Sequence, residues 1–122
     1  MSSAAEKSEK MAISQRALNM FSIARRAGIL IVGQDRIFET LRRGTALAVF
    51  ITDDCSANVA RRLASAQERG TADIYKLKDT GRELLGKSIG MGAAQAAALP
   101  KESGLAEKII GLLSEDRSDA DE

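Results

Sequence analysis

The sequence contains no histidine and a single cysteine, Cys55, among its 122 residues. Without histidine, the chain lacks the side chain best suited to proton transfer near neutral pH, which is also the commonest ligand of transition metals. One thiol cannot form an internal disulfide or the usual zinc site of cysteine and histidine. We therefore expect a protein of a reducing compartment, without an internal disulfide and without a zinc site of the usual kind.

Long apolar runs and aromatic side chains are also scarce. No stretch approaches the ~20 apolar residues that a membrane-spanning helix needs, and the first ten residues lack the apolar core of a signal peptide. With only three phenylalanines and one tyrosine, aliphatic side chains and alanine must build the interior. We expect a cytoplasmic protein whose partners include neither a membrane nor a small-molecule substrate.

The charges are distributed unevenly along the chain. The formal net charge is +1, but residues 114–122 contain five acids and one base. Residues 11–113 carry 15 bases and 10 acids, a charge of +5, which suits a polyanion-binding domain or an ordinary globular one. The length fits one domain. We predict a disordered N-terminal segment or linker at 1–11, an ordered domain at 12–113, and a disordered acidic tail at 114–122.

Helical and strand patterns alternate within the ordered part. The predicted strands are short and apolar: "ILIV" (29–32), "ALAVFIT" (46–52), "ADIYKL" (72–77) and "AAQAAAL" (93–99). The continuously apolar "ILIV" predicts a strand covered on both faces. "AAQAAAL" has a low strand propensity, because alanine favours helix. Helices that alternate with covered strands predict the α/β class, as a three-layer α/β/α sandwich.

Two motifs have both a functional and a structural interpretation. "GRELLGKS" (81–88) has the spelling of a phosphate-binding P-loop, but its middle residues are good helix formers without a further glycine. We interpret it as a helix and keep a nucleotide-binding enzyme as an alternative. The pairs Arg25-Arg26 and Arg42-Arg43 each precede a glycine, so they either bind a polyanion or face the negative ends of two helix dipoles.

Near the centre of the chain, Asp53, Asp54 and Cys55 allow other chemistry in principle. Two neighbouring carboxylates can bind a hard cation. As caps of the following helix, a role that Ser56 also offers, they need no ligand. A helix N-terminus lowers the pKa of some thiols, but no basic partner of Cys55 is evident in the sequence. We predict helix caps and a small buried side chain.

Two segments of the sequence resemble those of a known protein family. "LNMFSIARRAGILIVGQDRIFETLRRGTALAVFITDDCSANVARRL" followed by "ELLGKSIG" is similar to the bacterial branch of the archaeal ribosomal protein L-seven-Ae superfamily, which includes a eukaryotic ribosomal L-thirty-e relative. The similarity covers about residues 17–113, and "ARRAG" and "LGKSIG" are its most specific words. It implies a mixed four-stranded sheet. It also implies a non-enzymatic protein without catalytic residues, metal or cofactor. Such a protein is ribosome-associated or binds structured, kink-turn-like RNA, at times beside a second nucleic-acid-binding domain in the same polypeptide.

The resemblance also implies which residues contact RNA. In kink-turn binders, the glycine after the first strand and the opening residues of the next helix enter the RNA. The matching positions here are Gly33, Gln34, Asp35 and Arg36. The loop after the last strand packs against a flipped base in the family, and the matching residues are Leu99, Pro100 and Lys101.

The acids at this edge depart from the family pattern. Asp35 and Glu39 stand where relatives carry neutral or basic residues, and negative charge opposes phosphate binding. Among the paired arginines, we interpret Arg25 and Arg26 as structural and leave open whether the second pair extends a basic surface. A protein-interaction module that has lost specific RNA binding is therefore the alternative function.

Overall fold

The computed structural model describes residues 15–121, with side chains to residue 115. The predicted N-terminal segment at 1–11 lies outside these residues. Five helices and four strands make up the described part: α1 (15–26), β1 (Ile31–Val32), α2 (Gln34–Arg42), β2 (Leu47–Ile51), α3 (Ala57–Glu68), β3 (Ala72–Lys76), α4 (Arg82–Ser88), β4 (Ala96–Pro100) and α5 (Gly104–Asp121). Helix α5 spans the predicted domain boundary at residue 113.

The four strands form one mixed sheet in the order β1-β4-β2-β3. Strands β2 and β3 run parallel, whereas β4 runs antiparallel to both of its neighbours, β1 and β2. In the middle of the sheet, Val49 pairs with Ile74 on one side and with Ala98 on the other. The predicted α/β class and mixed four-stranded sheet are confirmed.

Alternate residues of the strands pack against two different helical layers. On one face, Phe50 and Leu99 pack in a cluster with side chains of α1, α4 and α5, including Phe21. On the other face, Val49 packs in a cluster with α2 and α3, to which Ile37 and others belong. The sheet is therefore covered on both sides, which confirms the three-layer sandwich.

The alanine-rich segment does form a strand, although by propensity it is a poor one. Strand β4 lies between β1 and β2, and Ala96, Ala97, Ala98 and Leu99 are completely buried. Tertiary pairing on both sides overrides the intrinsic preference of alanine for helix. The strand covers residues 96–100 rather than the predicted 93–99, and residues 93–95 belong to the loop before it.

The prediction for "ILIV" is wrong in extent and in burial. Only Ile31 and Val32 are in the strand, and β1 lies at an edge of the sheet, paired only with β4. Ile29, which precedes the strand, is 38% exposed. An edge position offers one backbone partner, so the apolar run alone does not imply a central strand.

At the opposite edge, strand β3 is bordered on its outer side by a side chain of α3. The backbone N–H of Ile74 points away from β2 and donates a 3.0 Å hydrogen bond to Oε1 of Gln67. Two charged residues, Asp73 and Lys76, lie exposed on the same strand. This edge is therefore partly occupied by polar groups of the chain itself.

The segment with the P-loop spelling is helical, as predicted. Residues 82–88 form α4, with Gly81 as the N-cap residue, so no flexible loop is available to wrap a phosphate. Gly86 is completely enclosed: a Cβ added there would lie 2.6 Å from the Cα atom of Ala93. This glycine is therefore present for close packing of α4 against the loop before β4.

Candidate nucleic-acid interface

The start of helix α2 is the centre of the candidate interface. Gly33 is the N-cap residue, with φ 93° and ψ 146°, and no side chain caps the helix. This backbone conformation is nearly restricted to glycine. The N–H of Gly33 donates to the carbonyl of Ala96 at 3.1 Å. The N–H groups of the next three residues have no acceptor within the helix, as in the first turn of any α-helix.

Gln95 holds this helix start against two other elements. Its side-chain Nε2 donates to Oε1 of Gln34 at 2.8 Å, and its Oε1 accepts from the backbone N–H of Ser56 at 2.9 Å. Its own carbonyl accepts from the N–H of Thr52 at 3.0 Å. One side chain in the loop before β4 thus joins the N-termini of α2 and α3.

Residues 32–36 and 93–95 line a shallow depression of about 410 Å³. We call residues 33–36, together with the loop residues 91–95, the Gly33 surface. Asp35 and Arg36 are exposed on it, and so is Met91, whose side chain is held by a 3.1 Å contact from Nη1 of Arg25 to its Sδ atom. Arg25, which we interpreted as structural, therefore borders this surface and supports its loop.

The structure separates the two groups of predicted site residues. Residues 33–36 lie beside the beginning of β4, whereas residues 99–101 lie at its end, about 10 to 16 Å away at ~3.3 Å per strand residue. Leu99 is completely buried within the strand and is not in a loop. The Nζ atom of Lys101 is 3.3 Å from a carboxylate oxygen of Asp73. The two groups therefore do not form one surface.

The loop before β4 takes the place that we assigned to the loop after it. Met91, Gly92 and Ala93 are exposed, Ala93 lines the depression together with the start of α2, and Gln95 contacts that helix directly. Sequence reasoning missed these residues. The sequence did offer one indication: the segment "GMGAAQ" (90–95) begins at the last glycine of "LGKSIG", one of the motifs that carry the resemblance.

The two acids of α2 differ in their surroundings. Glu39 accepts a 2.8 Å hydrogen bond from Nη2 of Arg43, four residues later on the same helix, so its charge is balanced locally. Asp35 lies in the first turn, where the helix dipole favours a negative charge. No ion pair involves Asp35 or Arg36 among the side chains described. Both are therefore available to a ligand.

The remaining candidates for chemistry have structural roles. Of the three predicted caps, Ser56 is the N-cap of α3, and its Oγ accepts from the N–H of Val59. Burial raises the pKa of the Cys55 thiol, so the thiol is not activated at neutral pH. Within residues 15–115, no cluster of three acidic or cysteine side chains is placed to hold a metal ion. No helix of the described part is long and apolar enough to span a membrane.

Comparison with known proteins finds relatives of the chain both in sequence and in fold. No protein-family model matches the chain. It is 31% identical to the RNA-binding protein YlxQ of Bacillus subtilis over 97 residues, which cover 77% of this chain and 91% of that protein. A protein of unknown function from Bacillus halodurans superposes with a TM-score of 0.70 at 19% identity, over 80% of this chain and 96% of its own. The 15.5 kD RNA-binding protein of Giardia lamblia superposes with a TM-score of 0.65 at 16% identity, over 88% of this chain and 89% of its own.

Proposed function

Because the chain belongs to the family of the RNA-binding protein YlxQ, we propose that it is a non-enzymatic RNA-binding protein. Its ligand is structured, kink-turn-like RNA, ribosomal or associated with the ribosome, and its binding site is the Gly33 surface. The observation that carries the proposal is the uncapped N-terminus of α2 beside the exposed loop 91–95. We assign the loop 91–95 to this site in place of residues 99–101, which lie at the other end of β4.

The helix start supplies the contacts to the RNA backbone. Free N–H groups and the positive end of the helix dipole attract a phosphate. Nothing lies within 4 Å of a Cβ built on Gly33, so the space beside this residue is open to an approaching RNA chain. Arg36, exposed in the first turn, adds a guanidinium group that can donate two hydrogen bonds to one phosphate.

Base recognition requires polar donors and an apolar surface next to the backbone contact. The Oε1 atom of Gln34 is engaged by Gln95, which fixes the side-chain amide and leaves its Nε2 to donate to a base edge. Met91 is 39% exposed and offers a polarisable thioether to a base that is unstacked at a bulge. These two residues favour a target with unpaired bases over a regular duplex.

The test is a binding titration with two labelled RNAs of equal length, a kink-turn stem with its internal loop and a fully paired counterpart. Both are titrated at low and at physiological salt with magnesium. We expect a preference for the kink-turn that persists at physiological salt, and a loss of affinity in Arg36→Glu. Arg16→Glu, the same charge change on α1, serves as the control and should retain the preference. Equal, salt-sensitive binding of both RNAs would contradict the proposal.

The second candidate function is a protein-interaction module on the same fold. It is favoured by one observation, the exposed carboxylate of Asp35 in the first turn of α2, which repels phosphate. In that case, a protein would co-purify with the chain and be released by Asp35→Lys. RNA binding would then be weak and indifferent to the internal loop.

Two further expectations stay proposals: the cytoplasmic location rests on the scarcity of long apolar runs and of cysteine, and the second module rests on the family resemblance. We propose that the protein acts in the cytoplasm, and that some polypeptides of this kind join the domain to a second nucleic-acid-binding module. Immunoblotting of fractionated cells with an antibody to residues 15–115 measures both the compartment and the length of the native polypeptide. A single cytoplasmic band at the mass of the present chain would remove the second module from the proposal.

A further inference from the structure

A second depression, of about 420 Å³, lies between the C-terminal halves of α2 and α3. Three arginines line it, and we call Arg42, Arg62 and Arg69 together the arginine cleft. The remaining lining residues are Phe38, Leu41, Ser65 and Thr71. None of these residues belongs to the Gly33 surface, so the cleft is a separate feature of the molecule.

Two of the three guanidinium groups are held in place by neighbouring side chains. The central carbon of the Arg62 guanidinium lies 3.9 Å from the centroid of the Phe38 ring, so cation and ring are in contact. Nη1 of Arg69 donates a 3.1 Å hydrogen bond to Oγ of Ser65, one helical turn earlier. Fixed arginines lose less conformational entropy when they bind a ligand than free ones do.

The positive charges of the cleft are not balanced by the protein. In the described part of the chain, no carboxylate lies within ion-pairing distance of Arg42, Arg62 or Arg69. The nearest acid along α2, Glu39, is paired with Arg43. Three cations around one depression repel each other, and an anion bound between them removes this repulsion.

Helix-end electrostatics explain only part of this arrangement. Arg42 is in the last turn of α2, and Arg69 is the C-cap residue of α3, where cations meet the negative ends of the helix dipoles. Arg62 lies in the middle of α3, so an interaction with the end of the helix dipole does not explain its position. Its position over Phe38 points a third cation at the same space.

We propose that the arginine cleft binds a phosphodiester group of the same RNA that occupies the Gly33 surface. This inference rests on the proposed function and extends its binding site. Arg36 and Arg42 are six residues apart on α2, about 9 Å at ~1.5 Å per residue. Stacked nucleotides of one strand advance by about 3.4 Å each. Six residues also turn an α-helix by about 600°, so these two side chains point roughly 120° apart. An RNA strand therefore has to pass partly around α2, and it reaches the cleft at least two to three nucleotides beyond the Gly33 surface.

The test compares neighbouring arginines of α3 in the kink-turn titration. Arg62→Gln and Arg69→Gln each remove a cleft cation, whereas Arg61→Gln removes an exposed cation that does not line the cleft. We expect each cleft variant to lower RNA affinity about tenfold, the effect of one charge-assisted hydrogen bond. The slope of log affinity against log salt should also become shallower by roughly 0.7 to 0.9 for each lost phosphate contact.

A phosphate contact carries no sequence information. The cleft variants should therefore keep the preference for the kink-turn over the paired RNA while both affinities fall. Arg69→Gln leaves the Phe38 contact intact, so it reports on the cleft even if Arg62→Gln loosens the fold, which thermal unfolding measures.

Three results would overturn the inference in distinguishable ways. If the unsubstituted protein binds the kink-turn RNA and both cleft variants match Arg61→Gln in affinity and slope, the cleft is not a phosphate site and the proposed function stands. If the unsubstituted protein binds neither RNA, the proposed function and the cleft inference both fail. If the cleft variants release a co-purified protein while RNA affinity is unchanged, the cleft is a protein-docking site instead.

Discussion

The side-chain nitrogen of Gln95 lies 2.8 Å from the side-chain oxygen of Gln34, and this hydrogen bond joins the loop before β4 to the first turn of α2. The two residues are 61 positions apart in the sequence. The same Gln95 side chain also receives the N–H of Ser56 at the start of α3. The geometry of the Gly33 surface therefore depends on one amide group.

Replacing Gln95 should cost more stability than replacing Gln34. Gln95→Ala removes the acceptor of the Ser56 N–H as well as the link to α2, and we expect the free energy of unfolding to fall by about 1–3 kcal/mol. Gln34→Ala breaks only the link between the side chains and should cost about 0.5–1.5 kcal/mol. Urea denaturation of both variants measures the difference. Equal losses would mean that the bond to Ser56 contributes nothing.

Gly33 and Gly44 provide a matched pair for separating fold from function. Both have positive φ, 93° and 95°, and both have open space where a Cβ would be placed. Alanine at either position should lower stability by about 1–3 kcal/mol, because L residues are strained there. Only Gly33→Ala should also weaken kink-turn binding at a temperature where both variants are folded. If Gly44→Ala weakens binding equally, the effect is global and the Gly33 surface is not the site.

Gly86 should tolerate no larger residue. Because a Cβ would lie 2.6–2.9 Å from backbone atoms of Ala93, Gly86→Ala must displace the loop before β4. We expect a loss of about 1–3 kcal/mol, typical of overpacking, together with altered amide resonances of residues 91–95 in the NMR spectrum. Gly111→Ala, in α5 with open space at its Cβ, is the control. It should stabilise the protein by roughly 0.5–1 kcal/mol, since glycine is unfavourable inside a helix.

Removing the negative charge of Asp35 should strengthen RNA binding. A carboxylate about 4 Å from a phosphate costs roughly 1 kcal/mol in water, so Asp35→Asn should raise affinity about fivefold at low salt. Asp73→Asn makes the same charge change near Lys101, far from the Gly33 surface, and should have little effect. Fluorescence anisotropy with the kink-turn RNA measures both. An unchanged affinity in Asp35→Asn would place the phosphates elsewhere.

Cys55 should make the protein less stable in alkaline solution. Its pKa is raised chiefly by burial, an effect that Arg82 partly opposes. The unfolded chain therefore loses the thiol proton first, and stability falls as pH rises past the ordinary thiol pKa. Cys55→Ser should show less of this alkaline loss in urea denaturation. At neutral pH, iodoacetamide should modify the folded protein more slowly than free cysteine.

The sequence was sufficient for the layers of the fold but not for the direction of its last strand. Apolar runs between helical segments predicted the sandwich, and the prediction that Gly33 separates a strand from a helix is confirmed. The family resemblance correctly implied a mixed sheet. Nothing in "AAQAAAL" shows that β4 runs antiparallel to β1. A parallel β4 would have brought residues 99–101 to Gly33, whereas the antiparallel strand brings its beginning there.

The role of Gln95 and the presence of the arginine cleft could not be predicted from the sequence for a related reason. Each depends on contacts between residues far apart in the chain: Gln95 with Gln34, and Arg62 with Phe38. Helical periodicity places Arg62 on an exposed part of α3 but does not indicate which neighbouring helix it meets. The length and burial of β1 were overestimated, because four consecutive apolar residues do not distinguish an edge strand from a central one.

The hydrogen bond from Ile74 to Gln67 bears on how the molecules behave when crowded together. The outer strand of a sheet can recruit a strand from another molecule and begin a growing aggregate. Here an incoming chain would first have to displace Gln67 and then lie alongside the charges of Asp73 and Lys76. The β3 edge of the sheet is therefore protected against strand addition by a second molecule.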